Sequence, residues 1–528
     1  MSRPAATPLE LGLFHALFVA LAEEMGTVLQ RTALSPNIVE RRDHSCAVYD
    51  RSGRTIAMGD HMPVHLGSMP LSVAAVRGTL RLGRGDVAIV NDPGAGGTHL
   101  PDLTLVQAVF LEGDDEPAFH LADRAHHADV GGRTGGSMGL ATDLWQEGLV
   151  LPPVRLLAGG RPVAPTWRHL LSGVRTPAER EGDLAAQLAA LRTGERRVRA
   201  LVARYGRAVL ESMAAALLAY ASRGVRAVIR DLPDGSWEFA DRLDDDGADG
   251  AGPEIRVRVT VRGETAGFDF AGTAGPARGP LNANPAIVRS AVLYVVRALS
   301  PHDLPANDGL LEPIAIDVPR DSLLDPGPGR AVAGGNVETS QRIVDTVLGA
   351  LAMAVPERVP AASQGTMNNL ALSGAGRGGR AFTYYETMAG GAGGHPRAAG
   401  ASGIHSHMTN SMNTPVETLE RMLPVRVARY AYRRGSGGAG KRPGGDGLVR
   451  ELEALAPIEG TLLADRRRTA PWGLAGGADG RVGEDRIERT DGTTTALPSK
   501  GSFSLGPGDR LTIESPGGGG WGAPESVR

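Results

Sequence analysis

The sequence predicts an α+β fold, a large multi-layer body rather than a string of small modules. Three observations carry that reading. Near the N-terminus, apolar residues recur at helical spacing and give way to short runs with strand character. Residues 177–218 then form the longest helical pattern in the chain. Beyond Gly374 the sequence turns glycine-rich and β-rich. At 528 residues, the length suggests roughly three domains. Loose boundaries near residues 230 and 375 give an N-terminal α+β region 1–230, a central α+β region 231–375 and a glycine-rich, β-rich region 376–528. No true linker marks either boundary, so the pieces can share one core.

From the start of the chain, Leu11, Phe14, Phe18, Leu21 and Met25 lie on one face of a helix expected over Pro8 to Gln30. Ser45–Tyr49 and Thr55–Met58 flank the turn Asp50-Arg51-Ser52-Gly53 and read as a hairpin. A short helix is expected over Leu71–Leu80, and buried strands over Asp86–Asn91 and Leu103–Phe110. The polar tip Glu112–Glu116 leads into Ala118–Ala122. In the helical region 177–218, Leu184, Leu188, Leu191 and Val198 share a face, and Gly194 and Gly206 are expected to divide it. The acid- and glycine-rich run Asp244–Gly250 reads as a solvated turn, and no register of it fits a calcium loop. Val257–Val261 and Gly267–Phe270 read as paired strands. Helices are expected over Asn282–Leu299, with Pro285 in the first turn, and over Ser340–Ala354. Strands follow at Arg380–Tyr385, Val425–Arg433, Ala454–Leu463 and Arg510–Glu514.

Composition narrows the functional classes. Aromatic residues are only 4%, so the core is built mainly from Ala, Val and Leu. A net charge of −3 leaves no electrostatic footprint for nucleic acid. The single cysteine, Cys46, excludes an intrachain disulfide and suits a cytoplasmic location. Glu23 and Glu24 follow the apolar residues near Leu11–Leu21 without a cleavage site, and no run is expected to span a bilayer.

Chemistry concentrates in three nearby segments. The glycine-rich string Asn91–Gly97 runs into Thr98-His99-Leu100-Pro101-Asp102. Before it stand Glu40 and Asp43, and after it Arg124-Ala125-His126-His127-Ala128-Asp129. Imidazole and carboxylate from these segments form a mixed N/O set for one divalent metal, without thiolate, which suits Zn²⁺, Mn²⁺ or Fe²⁺ alike. The N-terminal third is therefore the candidate metal-site region. On a strand His99 and Asp102 would face opposite ways, so both reach one ion only if Leu100-Pro101 turns, with a cis bond as one route. His126 and His127 are adjacent and should point to opposite faces, one ligating and the other supporting. The candidate catalytic residues are Asp43, His99, His126 and His127. Asn336, Glu338 and Gln341 form a polar cluster before a helix. That cluster is a candidate substrate pocket, and His405 and His407, which would share a face on a strand, give a polar substrate-pocket wall or an intersubunit contact, with a second metal site as the alternative. Gly435–Arg442 comes close to a phosphate-binding loop, but Arg442 replaces the required Ser/Thr and Pro443 opposes the helix that must follow.

The strings ERRDHSCAVYD, HMPVHLGSM, NDPGAGGTHLPD, RAHHADVGG, AGGNVETSQRIVD, ASQGTMNNL, YYETMAGGAGGHP, GIHSHMTNSMNTPVE and ESPGGGGWG follow one another along essentially the whole chain. In this the sequence resembles the hydantoinase B/5-oxoprolinase family, the B-type subunits of ATP-dependent hydantoinases, lactamases and related ketone carboxylases. The resemblance implies a metal held by Glu40 or Asp43, by His99 and Asp102, and by His126 or His127. An insertion-like hairpin tip at Gly113–Glu116 leaves the choice of histidine open. The resemblance also implies an A-type subunit that binds ATP and activates a hydantoin, N-methylhydantoin, 5-oxoproline or related lactam, in an A2B2-type complex. A ketone carboxylase subunit and a non-catalytic scaffold are the alternatives.

Overall fold

The computed structural model describes residues 6–59, 61–248 and 250–524. Its N-terminal part is a seven-stranded antiparallel sheet: β1 (His44–Asp50), β2 (Thr55–Met58), β3 (Val87–Val90), β4 (Asp102–Val109), β5 (Phe119–His126), β6 (Val154–Ala158) and β7 (Arg161–Pro162), in the order β2-β1-β5-β4-β3-β6-β7. Both faces are buried from β1 to β5, while β6 is partly buried and β7 is exposed. The two-residue period of a strand sorts the side chains between two cores. Cys46, Val48, Leu103, Leu105 and Leu121 face the helices Pro8–Thr32 and Pro177–Tyr205. Ala47, Tyr49, Val106 and Ala122 face the helix Met69–Thr79.

The N-terminal helix starts from a capping box, with the Thr7 hydroxyl accepting from the Glu10 amide and the Glu10 carboxylate accepting from the Thr7 amide. Contrary to the sequence expectation, Pro8–Thr32 is by length and composition long and apolar enough to cross a membrane, with a mean hydropathy of 1.4 over an 18-residue window. Here it buries Phe14, Phe18, Leu21, Met25 and Leu29 against the sheet and the helix Pro177–Tyr205. That second helix runs unbroken through Gly194, which was expected to divide it. Gly194 is where the helix meets Met25 and Leu121, with no room for a Cβ. Gly206, at φ +82°, does end it, and the helix Arg207–Arg230 follows.

The middle of the chain forms a four-stranded sheet in which Glu254–Arg262 pairs antiparallel with Thr265–Asp269 and with Gly235–Arg242. The helices Pro285–Ala298 and Ser340–Ala354 pack into the same core. That core also takes in Met62, Met138, Met367 and Leu463 from the flanking stretches. Asp244, expected in a solvated turn, is instead buried and accepts the backbone amides of Arg467, Arg468 and Thr469. Asp249 lies outside the described residues.

Two further sheets, of four and five strands, build the C-terminal part. The expected strand Ala454–Leu463 is split: Gly447–Ala454 ends at its first residue, and Ile458–Leu463 belongs to the other sheet. Beside the sheets, the glycine-rich segments 391–394, 437–445, 473–480 and 517–520 run side by side. The Gly438 amide donates to Gly518, Gly518 to Gly445, and Gly445 to Ala392. A Cβ on Gly518 would sit 2.0 Å from the Ala392 carbonyl oxygen, so no side chain fits at that position.

Candidate metal centre

The site is built where β4 begins and β5 ends. Register pairs Asp102 with His126, placing both side chains on the face opposite the helix Pro177–Tyr205. His99 joins them through the turn that spacing required, closed by the Asp102 amide donating to the His99 carbonyl at 3.1 Å. The turn is made without a cis peptide; among the described residues there is none. The three groups converge. His99 Nε2 lies 3.2 Å from His126 Nδ1 and 3.3 Å from Asp102 Oδ1, and His126 Nδ1 lies 3.5 Å from that same oxygen.

This near-equilateral triangle is what three ligands, each about 2.0–2.2 Å from one ion, leave behind. All three residues are at most 2% exposed. The donor set therefore fits a divalent cation. It contains two imidazoles, one carboxylate and no sulfur, so it does not discriminate among Zn²⁺, Mn²⁺ and Fe²⁺.

Surrounding groups hold the triangle in place. Asp102 Oδ2 accepts from the Thr98 hydroxyl and faces His65 Nε2 at 3.4 Å and the Asn336 amide at 3.5 Å. His65 is fixed in turn by Ser45 Oγ at 2.8 Å from its Nδ1. Burial pushes the Asp102 carboxyl upward, but the imidazoles of His99, His126 and His65 outweigh it, and the group stays ionised well below the usual carboxylate range. Burial lowers the pKa of both His65 and His126, favouring the neutral rings a metal requires. The outward nitrogens, His99 Nδ1 and His126 Nε2, are buried without hydrogen-bond partners among the described residues. His126 is instead steadied by stacking on Tyr385, with centroids 4.6 Å apart and planes 15° apart. The Arg41 guanidinium covers the same tyrosine at 4.9 Å. The Tyr385 hydroxyl donates to Asn369 Oδ1, and the Asn369 amide donates to Glu338.

The other sequence candidates divide. Asp43 lines the same cavity but stands outside the triangle, 3.5 Å from Arg41. Glu40 ends a short helix, half-buried, and does not line the cavity. His127 faces the opposite side of the sheet, as alternation requires, with Nε2 3.0 Å from Gln187 Oε1. Asn336 reaches the cavity. Glu338 lies behind it, accepting from the Met367 amide, and its pKa is raised to about 7 by burial. Gln341 donates to the Ser406 carbonyl instead.

His405 and His407 do not share a strand face, contrary to expectation. Their segment is a turn with His407 at φ +57°, its ring between Tyr294 and Asp345. His405 lies near Arg41, and burial together with that charge lowers its pKa to about 4. Sequence reasoning assigned no role to Thr98, His65 or Tyr385. Thr98 adjoins the ligand turn. The other two stand within quoted motif strings, but nothing in their spacing ties them to Asp102 or His126.

Residues 7–524 match the family model described as hydantoinase B/oxoprolinase. Arabidopsis thaliana 5-oxoprolinase 1 is 36% identical over 557 residues, 99% of this chain but 42% of that protein. The chain thus spans less than half the length of this relative. An uncharacterised Methanocaldococcus jannaschii protein is 38% identical over 516 residues, 96% of this chain and 88% of its own length. Among solved structures, the ATP-dependent caprolactamase from Pseudomonas jessenii superposes with a TM-score of 0.91 at 28% identity, covering 98% of this chain and 92% of that one. Nucleotide-free acetone carboxylase superposes at 0.90 and 17% identity, covering 98% and 76%. This last likeness is one of fold alone.

Proposed function

This chain belongs to the hydantoinase B/oxoprolinase family, and from that premise we propose that it is the metal-dependent B-type subunit of an ATP-dependent cyclic amidase. Its substrate would be a hydantoin, 5-oxoproline or a related lactam, activated by an A-type subunit. The observation that carries this reading is the buried triangle of His99, Asp102 and His126.

An unstrained lactam resists water because amide resonance weakens its carbonyl as an electrophile. Phosphorylation of the amide oxygen by the partner would remove that protection and create a leaving group. A divalent ion held by His99, Asp102 and His126 would supply Lewis-acid polarisation at the reacting carbon's oxygen. Asp43 lines the cavity and is placed to take the proton of the attacking water as the new C–O bond forms. The ring C–N bond then breaks, the departing nitrogen taking the proton that Asp43 accepted, and the acyl phosphate left behind is hydrolysed by a second water to release phosphate and the ring-opened acid. Thr98, His65 and Asn336 hold the Asp102 carboxylate in position throughout.

Assigning ATP to a partner agrees with the state of the near-phosphate loop. Residues 437–445 are packed within the glycine bundle, and a strand, Gly447–Ala454, follows instead of a helix. An activated intermediate must reach the metal before bulk water destroys it, which favours a stable A2B2 complex with an interface of roughly 2,000 Å² or more. The buried, unpaired Cys46 is compatible with a cytoplasmic complex.

The test is ATP-dependent opening of 5-oxoproline or hydantoin by the chain alone and after co-expression with its A-type partner. Turnover is expected only in the complex; robust ATP-coupled hydrolysis by the isolated chain would overturn the division of labour. A product that requires bicarbonate would instead place the chain with the ketone carboxylases. A metal-loaded complex whose hydrolysis is untouched by Asp102→Asn would make this chain a scaffold.

A further inference from the structure

The metal triangle has almost no free space beside it. The cavity lined by His99, Asp102 and His126 holds about 20 Å³, room for a single water. A lactam ring does not fit there. A substrate of that class needs a second volume in communication with the first.

Such a volume lies across Met62. A cavity of about 510 Å³ opens between the segment Met58–Leu66, the C-terminal end of the helix Pro285–Ala298 and the loop after it. That size is within the range of small-molecule sites. Met62 lines both spaces. Around it the wall is one residue thick in two places: Val64 and Thr409 line the metal side, while their neighbours Pro63 and Asn410 line the larger side. The two wall segments are tied by the Val64 amide donating to the Met408 carbonyl at 3.3 Å and the Asn410 side chain donating to the His61 carbonyl at 3.2 Å. Methionine has three rotatable side-chain bonds, so Met62 can change rotamer without moving the backbone.

The lining chemistry is mixed in the way a small cyclic amide requires. Met58, Met62 and Leu66 offer an apolar surface for ring methylenes. His61 lines the chamber as a polar side chain, its ring Nε2 3.5 Å from Glu23 Oε2. Asn410 adds an amide beside it.

We propose that this 510 Å³ cavity is the substrate chamber of the metal centre, taking a small cyclic amide with its ring on the methionines and its amide edge toward His61 and Asn410, and passing the carbonyl to the metal side past Met62. The inference builds on the cyclic-amidase reading, and its test does not depend on turnover. Caprolactam and 5-oxoproline serve as probes, titrated into the metal-loaded full chain and followed by ligand-observed NMR. Saturable binding is expected for the natural sequence. Ala298→Trp, at an exposed position on the chamber rim, should weaken binding at least tenfold with metal content unchanged. Ser300→Trp provides a second blockade should the first variant fold poorly. In the complex with the partner, the same substitutions should raise KM for the lactam by a similar factor. Absence of binding by the natural sequence, or unchanged binding in folded Trp variants, would overturn the chamber. Binding that the Trp variants abolish, in a complex that never hydrolyses lactams, would leave the chamber standing and remove the hydrolytic reading instead.

Discussion

Two buried polar clusters in this molecule are built from ionisable groups and have opposite characters. In the first, a single carboxylate, Asp102, sits among three histidines, and two imidazole nitrogens and one oxygen point at a common centre. In the second, three carboxylates meet three cations. Arg342 pairs with Asp241 and Asp465 at 3.1 and 3.0 Å, Arg466 with Asp241 and Asp345 at 2.8 and 2.7 Å, and Lys500 with Asp465 at 3.2 Å. There the arginines more than offset the burial that would push Asp241 upward, and its pKa falls to about 2. Opposite charges in contact satisfy one another and call for no ligand. Lone pairs that converge without a cation are costly to bury until one arrives. Burial and polarity are common to both clusters; the balance of sign and the direction of the lone pairs separate a site from a structural knot.

The sharpest way to break this distinction is to remove one member of each cluster and measure both metal and stability. His99→Ala and Asp102→Asn should weaken metal binding by more than about a hundredfold, the upper end of what losing even an outer partner costs, while circular dichroism shows the chain still folded. Elemental analysis decides this, and unchanged metal content in His99→Ala would end the ligand assignment. Arg342→Met should do the reverse. It leaves Asp241 and Asp465 short of a buried partner, at a cost of roughly 3–5 kcal/mol, and leaves the metal content untouched. An unmoved denaturation midpoint would show that the second cluster is not holding the core.

A histidine elsewhere on the same strand sharpens the contrast. His120 lies on β5 far from the triangle, its Nδ1 3.2 Å from the Asp50 carbonyl, and burial lowers its pKa from 6.5 to about 4. The unfolded chain takes up this proton near pH 6.5 and the folded chain does so only near 4. Its stabilising contribution is therefore complete above pH 6.5 and is lost as pH falls toward 4. His120→Gln should flatten the stability profile across that window by roughly 3 kcal/mol without altering metal content. A profile that keeps its slope would assign the acid sensitivity to other buried histidines.

Much of this could be read from the sequence, for identifiable reasons. The helix Ser340–Ala354 and the strand Arg510–Glu514 fall where their patterns place them because each buries its apolar residues, and the largely exposed strand Val425–Arg433 falls where its β-branched and aromatic residues place it. The triangle was partly legible because its members flank one strand pair; alternation puts His126 and His127 on opposite faces but does not say which one meets Asp102. Contacts between distant segments were not legible. Asp244 looks solvated until residues 467–469 supply the amides that bury it. Gly447–Ala454 was missed because its Arg450 looks like a surface residue, yet it is buried against Glu386. His65 reaches Asp102 only through the turn Pro63–His65, a placement no periodicity encodes.

The smallest effect tests how the C-terminal part reaches the metal. Tyr385 comes from the strand Ala381–Glu386, more than two hundred and fifty residues after the ligand it stacks on. Among the described residues His126 Nε2 has no hydrogen-bond partner, so the usual means of fixing a ligand ring, a donated N–H, is replaced by a flat aromatic surface. Tyr385→Leu removes that surface and lets the imidazole rotate; metal affinity, measured by chelator competition, should fall about tenfold. Tyr385→Phe keeps the ring and loses only the hydroxyl bond to Asn369, so affinity should stay within about threefold of the natural protein, a few tenths of a kcal/mol, below the typical net worth of one hydrogen bond. If Phe and Leu weaken binding equally, the Asn369–Glu338 connection rather than the stack orients His126. If neither does, β5 alone holds the ligand and the C-terminal part only covers it.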